Sequence, residues 1–187
     1  MTGNLWSNDV MLILLKLVIF VFVSVGIFVF SWQSLRNPRS RGFYRFFVFE
    51  SILILILLNL EHWFRDPFSV HQIVSWLMLL ASIVLAAHGF YLLHVIGRPK
   101  SGIEDTTTLV MVGAYKYIRH PLYGSLLFLA WGIFFKDVSL LGGILASVAT
   151  ASLIVIAKME EVENIQRFGT EYAAYMKSTK MFIPFLF

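Results

Sequence analysis

The stretch VMLILLKLVIFVFVSVGIFVFSW, Val10–Trp32, decides the fold class. Only Lys16, Ser24, Gly26 and Ser31 interrupt its apolar run. At about 1.5 Å per helical residue it is long enough to cross a hydrocarbon core of about 30 Å, so it predicts a first transmembrane helix. A cleaved signal peptide fits it poorly, because the run is too long and lacks a basic leader or a clear small-residue cleavage site. The rest of the 187-residue chain agrees with that reading. Hydrophobic residues make up 58% of it, charged residues only 14%, and there are 18 phenylalanines, whereas a soluble domain of this length needs far more charge to cover its surface. The chain has no cysteine, which excludes disulfides, thiolate metal sites and cysteine nucleophiles. The net charge of +4 sits in loops flanking the apolar runs and does not recur along one helix face. Its expected counter-charge is therefore anionic lipid headgroups, not nucleic acid.

Working outward, Gln33–Gly42 reads as a polar turn with Arg36, Pro38, Arg39 and Arg41, and Phe43 to about Phe64 as a second span carrying Arg45, Glu50 and Asn59. After the connection Glu61–His71, Gln72 to about Ile96 forms a third span containing His88 and His94. Gly97–Val112 is the longest hydrophilic stretch. Leu122–Phe135 and Val138–Ala157 are apolar arms separated only by Lys136-Asp137, the pattern of a tight helical hairpin. The first arm has 14 residues, about 21 Å, which is short for a full crossing. Lys158–Lys180 alternates charged and apolar residues at three- and four-residue steps, an amphipathic helix broken near Gly169 and expected to lie outside the bilayer. The tail MFIPFLF is expected at the interface. No internal repeat, low-complexity tract or linker divides the chain. The prediction is an all-α, multi-pass membrane unit with about five transmembrane helices, the last two a hairpin, comprising a three-helix part (1–96) and a second part (97–187).

If five segments cross, the loops after the first, third and fifth carry twelve of the lysines and arginines and the opposite side carries two, Arg65 and Lys136. The positive-inside rule then places the N-terminus outside and the C-terminus in the cytoplasm, in the cell membrane of a prokaryote or the endoplasmic reticulum of a eukaryote. Glu50 and His88 fall at matching depths on consecutive antiparallel spans. A hydrogen bond between them is expected, because an ionisable group in hydrocarbon needs a partner. Lys16 is expected to snorkel to the outer interface. His94 suits the cytoplasmic boundary, and His62 and His71 have no metal-ligand spacing with their neighbours.

One stretch stands apart chemically: GAYKYIRHPLYGS, Gly113–Ser125. Proline disfavours helix in the residue before it and is well placed at a first helical position, so His120 should be extended and Pro121 should open a helix. The free N–H groups of that helix start, with Arg119 beside them, form a small anion site, and Tyr115, Tyr117 and Tyr123 offer flat faces with polar tips. Such a set suits a ligand with a carboxylate, an aromatic base and hydroxyls. An interfacial belt of amphipathic side chains accounts for the same composition. Glu160-Glu161 falls on the same membrane face. There is no glycine-rich phosphate loop, nucleophile elbow, HExxH or aspartate-rich magnesium motif.

GAYKYIRHPLYG, followed some forty residues later by AKMEEVENIQRFGTEYAAYMKSTKMFIPF, resembles the isoprenylcysteine carboxyl methyltransferase family. That family belongs with the phospholipid methyltransferases to a broader class of membrane methyltransferases, and the likeness is to its compact prokaryotic members. The resemblance covers about Lys100 to Pro184. It implies S-adenosylmethionine as methyl donor, S-adenosylhomocysteine as product, and a cofactor pocket in the C-terminal half. The matching positions are Lys100, the strip Thr107, Thr108, Leu109 and Val110, then Tyr115, His120, Pro121, Leu122 and Tyr123, and finally Glu160 with its neighbour Glu161. The family places an arginine shortly before the paired glutamates for the acceptor carboxylate. Here Ile156-Ala157-Lys158 stands there, and Lys158 offers a point charge without the bidentate fork of arginine.

The reaction this implies is in-line methyl transfer from a sulfonium to a lipid-like acceptor entering from the bilayer, first of all a prenylated cysteine carboxylate. On that reading Arg119, Lys158 and Glu160 carry the polar work, with no metal. An amine acceptor such as phosphatidylethanolamine is the alternative; it must lose a proton, which makes Glu50 or Glu160 a candidate base. A non-enzymatic scaffold or small transporter is a third class, though the spans hold few polar residues to line a pathway.

Overall fold

The computed structural model describes residues 3–99 and 106–185, with side chains from Val10 onward. Six helices follow in order: α1 (Gly3–Leu35), α2 (Arg41–Asn59), α3 (Val70–Leu92), α4 (Pro121–Phe134), α5 (Leu140–Phe168) and α6 (Thr170–Ser178). Single turns of 3-10 helix at Leu60–His62 and Gly113–Lys116 and a wide turn at Leu93–Gly97 complete the elements. No strand occurs among the described residues; an isolated parallel bridge joins Ile118 to Lys180.

Among the described residues four segments are long and apolar enough to cross a membrane: Val10–Leu35, Arg41–His62, Val70–Gly97 and Leu140–Phe168. This is a multi-pass membrane architecture. The fifth expected crossing, α4, keeps its 14 residues and is about 21 Å long, shorter than the other four. A correction concerns the C-terminal helix. The span and the amphipathic stretch form one helix of 29 residues, about 43 Å long, so its last turns, with Glu160 and Arg167, extend beyond a hydrocarbon core of about 30 Å. The break falls at Gly169, as the sequence predicts: its φ of 60° lies in the left-handed region that favours glycine, and α6 turns away there.

The helices pack as α3 on α4, α2 on α5, α4 on α5 and α1 on α2. Local chemistry fixes the joints. Ser40 caps α2 by accepting from the Phe43 N–H, and Ser139 caps α5 by accepting from the Gly142 N–H. Gly132 brings α4 against α3 so closely that a Cβ would stand 3.1 Å from Leu79, and the Ser75 hydroxyl donates to the Gly132 carbonyl across that contact at 2.7 Å. Trp131 Nε1 donates to Thr150 Oγ1, tying α4 to α5. The core, with Val48, Leu55, Ile133, Leu153, Ile156 and Phe182 at or near full burial, lies where α2, α4 and α5 meet.

Two expectations about polar groups change, those for Glu50 and Lys136. Glu50 does not meet His88; it accepts from Ser24 Oγ of α1 at 2.8 Å, while His88 is exposed on α3 with its ring against Gly113. Depth matches, but α4 lies between α2 and α3, so antiparallel order in sequence does not make them neighbours. Lys16 pairs with Glu61, at the end of the bundle away from the motif. Lys136, expected as an exposed hairpin cation, is fully buried there: Nζ lies 3.5 Å from the centre of the Trp76 ring and donates to Gln72 Oε1 and the Trp63 carbonyl. Burial lowers its pKa.

The tail also differs from its expected place at the interface. The Arg119 and His120 N–H groups donate to the Lys180 and Met181 carbonyls, the Lys180 N–H donates to the Tyr117 carbonyl, and Phe182 is wholly buried with its ring edge toward His120. The motif loop supplies unpaired backbone donors before Pro121, and the tail satisfies them.

Candidate functional site

The working stretch lies at one end of the bundle, where the starts of α2 and α4 meet the late turns of α5 and α6. Pro121 is the first residue of α4, and His120 before it is non-helical but not extended, with φ −124° and ψ 64° and no side chain capping the helix. This leaves the first-turn N–H groups facing a hollow. The hollow is a cavity of about 60 Å³ that opens to one side. Its walls come from four places: Leu93 after α3, Thr106, Leu109 and Val110 of the strap, Tyr115 through Tyr123 of the motif, and Glu160, Asn164 and Phe168 of α5. Tyr172 and Tyr175 of α6 close it.

The Tyr123 hydroxyl donates to Glu160 Oε2 at 2.6 Å, and the Tyr123 ring stacks on His120 at 5.5 Å between centres. His120 is almost wholly buried; its Nδ1 lies 3.7 Å from Glu160 Oε1 and its Nε2 3.4 Å from Glu161 Oε1. Tyr175 donates to the Tyr115 carbonyl at 2.6 Å. Burial pushes the Tyr115, Tyr172 and Tyr175 phenols up, Tyr172 to about 12, and the Glu160 charge adds to the shift of Tyr115. These tyrosines therefore remain protonated donors at any ordinary pH.

Arg119 and Glu161 have a different arrangement. Arg119 Nε donates to Glu161 Oε1 at 2.7 Å, and Nη1 reaches the Met176 and Thr179 carbonyls, with both side chains about 10% exposed. The pair braces the motif against α5 and the end of α6. Thr107 and Thr108 are exposed and spend their backbone N–H groups on the Gly97 carbonyl, closing the strap over the end of α3; Thr106 lines the hollow instead. Lys158 is exposed and lines no cavity. At about 100° per residue it sits some 200° around α5 from Glu160, so both cannot face one site. Lys100 lies outside the described residues. His94 is exposed and stacks on Phe90.

Sequence reasoning missed Asn164, Phe168 and Arg41. Asn164 and Phe168 follow Glu160 at four-residue steps on one helix face, a signal that could have found them. Arg41 had none. It comes from α2, and its Nη1 lies 3.6 Å from Glu160 Oε2 and its Nη2 3.1 Å from Glu163 Oε2.

A second cavity of about 200 Å³ adjoins the first between α2, α4 and α5. Val48, Phe49, Leu126, Leu153 and Ile156 make it apolar, Arg45 stands in its wall, and it shares Leu122 and Tyr123 with the hollow. Among the described residues no group of three potential ligands could hold a metal ion.

The hollow, with Arg119, His120, Glu160 and Asn164 among its apolar walls, and the apolar cleft meet at Leu122 and Tyr123. The family model described as Protein of unknown function (DUF1295) matches residues 15–179. The chain belongs to this family. It is 33% identical over 174 residues to methanethiol S-methyltransferase of Crocosphaera subtropica, covering 83% of this chain and 66% of that protein. It is 27% identical over 169 residues to methanethiol S-methyltransferase 1 of Bradyrhizobium diazoefficiens, covering 81% and 57%. A third relative, methanethiol S-methyltransferase of Pseudomonas deceptionensis, is 26% identical over 118 residues. The chain spans between 43% and 66% of the length of these curated relatives. No solved structure matches it. These relatives share methyl transfer, but not its acceptor, with the family that the two motifs resemble.

Proposed function

We propose that this DUF1295 member is a membrane methyltransferase that uses S-adenosylmethionine to methylate a small apolar thiol. The observation that carries the reading is the Tyr123–Glu160 bond, which forms the wall between a polar hollow and an apolar cleft. The relatives named for methanethiol support the acceptor class.

The residues present fit the cofactor. His120 presents a buried ring between Glu160 and Glu161, the start of α4 offers N–H groups without a side-chain cap for a carboxylate, and the tyrosines offer flat faces. Glu160 supplies negative charge for the cationic end, with Asn164 beside it. When bound, S-adenosylmethionine supplies a methyl group on a positively charged sulfur. The chain's own part is to hold the acceptor close and in line and to exclude water. Val48, Phe49, Leu153 and Ile156 do the latter in the cleft. A thiol must lose a proton to attack, and Glu160 is the carboxylate at the dividing wall, placed to take it at Oε1, the oxygen that Tyr123 leaves free. Arg45 in the cleft wall favours an anionic acceptor and so supports a second reading, a prenylated cysteine carboxylate, which needs no base. The twelve-to-two charge bias supports a C-terminus and cofactor site on the cytoplasmic side.

Calorimetry with S-adenosylhomocysteine on the purified protein tests the cofactor. Wild type should bind, and Tyr123→Phe should bind about 10- to 100-fold more weakly through loss of a hydrogen bond to a charged group. Labelled methyl incorporation into a small alkanethiol, a prenylcysteine analogue and phosphatidylethanolamine tests the acceptor. No binding by wild type overturns the cofactor reading; transfer to the lipid or prenyl acceptors alone overturns the thiol.

A further inference from the structure

Arg41 belongs to the three-helix part in which the sequence shows no functional signature, yet it reaches the centre of the site. We propose that Arg41 is a positioning residue for Glu160, holding that carboxylate turned toward Tyr123, so that α2 is a working part of the cofactor site. This rests on the cofactor reading above.

Three observations point the same way. First, Glu160, Glu161 and Glu163 crowd one turn of α5, and Glu161 is already paired with Arg119. Glu160 and Glu163 are three residues apart, so they are neighbours on the helix surface and repel each other unless a cation stands between them. Arg41 is that cation, with one guanidinium nitrogen toward each carboxylate. Second, Arg41 and Tyr123 approach the same oxygen, Oε2 of Glu160. Together they fix the carboxylate's rotation and leave Oε1 toward His120. Third, Arg41 occupies a poor position on its own helix. It is the first residue of α2, where the helix dipole disfavours a cation, so local preference does not account for it.

Its backbone is held by the preceding turn. Ser40 Oγ donates to the Ser34 carbonyl, the Asn37 N–H donates to the same carbonyl, and a Cβ on Gly42 would collide with Ser34 Oγ. The guanidinium is therefore presented from a rigid corner, and only a quarter of the side chain is exposed. Such placement keeps the two-pronged contact in one geometry, which a lysine point charge cannot reproduce.

The test is S-adenosylhomocysteine binding by calorimetry to wild type, Arg41→Gln, Arg41→Lys, Glu160→Gln and the Arg41→Gln/Glu160→Gln double variant, with the thermal midpoint of each ligand-free protein. Arg41→Gln should weaken binding about tenfold or more, and Arg41→Lys should recover part of the loss. In the Glu160→Gln background Arg41→Gln should cost nothing further, since its effect passes through that carboxylate. Glu163→Gln serves as a second variant that leaves all cavity-lining groups in place. It should weaken binding less than Arg41→Gln does, by loosening one prong. Equal losses in both backgrounds, or Arg41→Gln binding as tightly as wild type, overturns the inference alone. Wild type that fails to bind overturns the cofactor reading and this inference with it.

Discussion

The brace between Arg119 and Glu161 allows the sharpest quantitative test of how the motif is held. Both side chains are about 10% exposed, the Nε–Oε1 distance is 2.7 Å, and Nη1 also serves two carbonyls at the end of α6. Arg119→Met removes the cation but leaves Glu161 buried. Its remaining polar neighbour is His120 Nε2 at 3.4 Å, and two carbonyls lose a donor. Removing one partner of a buried pair costs about 3–5 kcal/mol, because the survivor is an uncompensated charge. For a chain of this size each kcal/mol shifts the midpoint by about 2–4 °C, so thermal unfolding in detergent should fall by roughly 6–20 °C. Arg119→Met/Glu161→Leu removes both charges and should recover a large part of that loss, since apolar replacement of a buried pair is often nearly neutral. A midpoint within about 2 °C of wild type for Arg119→Met, or a double variant as unstable as the sum of its singles, would refute the reasoning. The pair would then be a solvated contact.

Two further outcomes follow from local geometry. Gly113 has a φ of 59°, and a Cβ there would stand 2.4 Å from His88 Nε2, so Gly113→Ala should cost about 1–3 kcal/mol; Gly26→Ala, with open space around it, should be neutral or stabilising by up to about 1 kcal/mol. Chemical denaturation of the two variants compares them, and equal effects would contradict the packing of His88. Lys136 has its pKa lowered by burial, so the native state releases its proton at lower pH than the unfolded chain does. Between the native and the ordinary lysine values the unfolded chain binds more protons, and stability rises with pH across that window. The stability of wild type relative to Lys136→Met should therefore grow as pH rises toward the ordinary lysine value, and a gap that stays flat or shrinks contradicts the burial.

The long spans were legible because a membrane imposes a length and a polarity that a single sequence displays. Val10–Trp32, the polar turn after it, the Lys136-Asp137 hairpin and the break at Gly169 all reappear. What failed was lateral. Depth along a helix follows from counting residues, but which helices touch depends on the packing of whole faces, and the Glu50–His88 pairing assumed neighbours that α4 separates. Lys136 was read as a loop cation because its partners, Trp63, Gln72 and Trp76, are 60 or more residues away in sequence. The tail failed for a similar reason. MFIPFLF is apolar enough for an interface, but Met181 and Phe182 meet unsatisfied donors on the motif loop that no local rule connects to them.

The site divides along the same line. His120 and Tyr123 of the first motif meet Glu160 of the second, as the resemblance implies, whereas the balance of charge around them could only be seen in three dimensions. In the contact network about Glu160 two guanidinium groups, Arg41 and Arg119, face three carboxylates, Glu160, Glu161 and Glu163. Leaving His120 aside, the wall is one negative charge in excess. Glu161 is neutralised inside the brace, and Glu163 is half exposed and screened by solvent, so the excess is felt mainly at Glu160, under Tyr123 and beside the hollow. A site of that sign favours a ligand that brings positive charge and holds it less tightly once the charge is lost. On the proposed reading methyl transfer removes the sulfonium charge while Glu160 takes the thiol's proton, so the attraction that draws the cofactor in is absent once the product has formed.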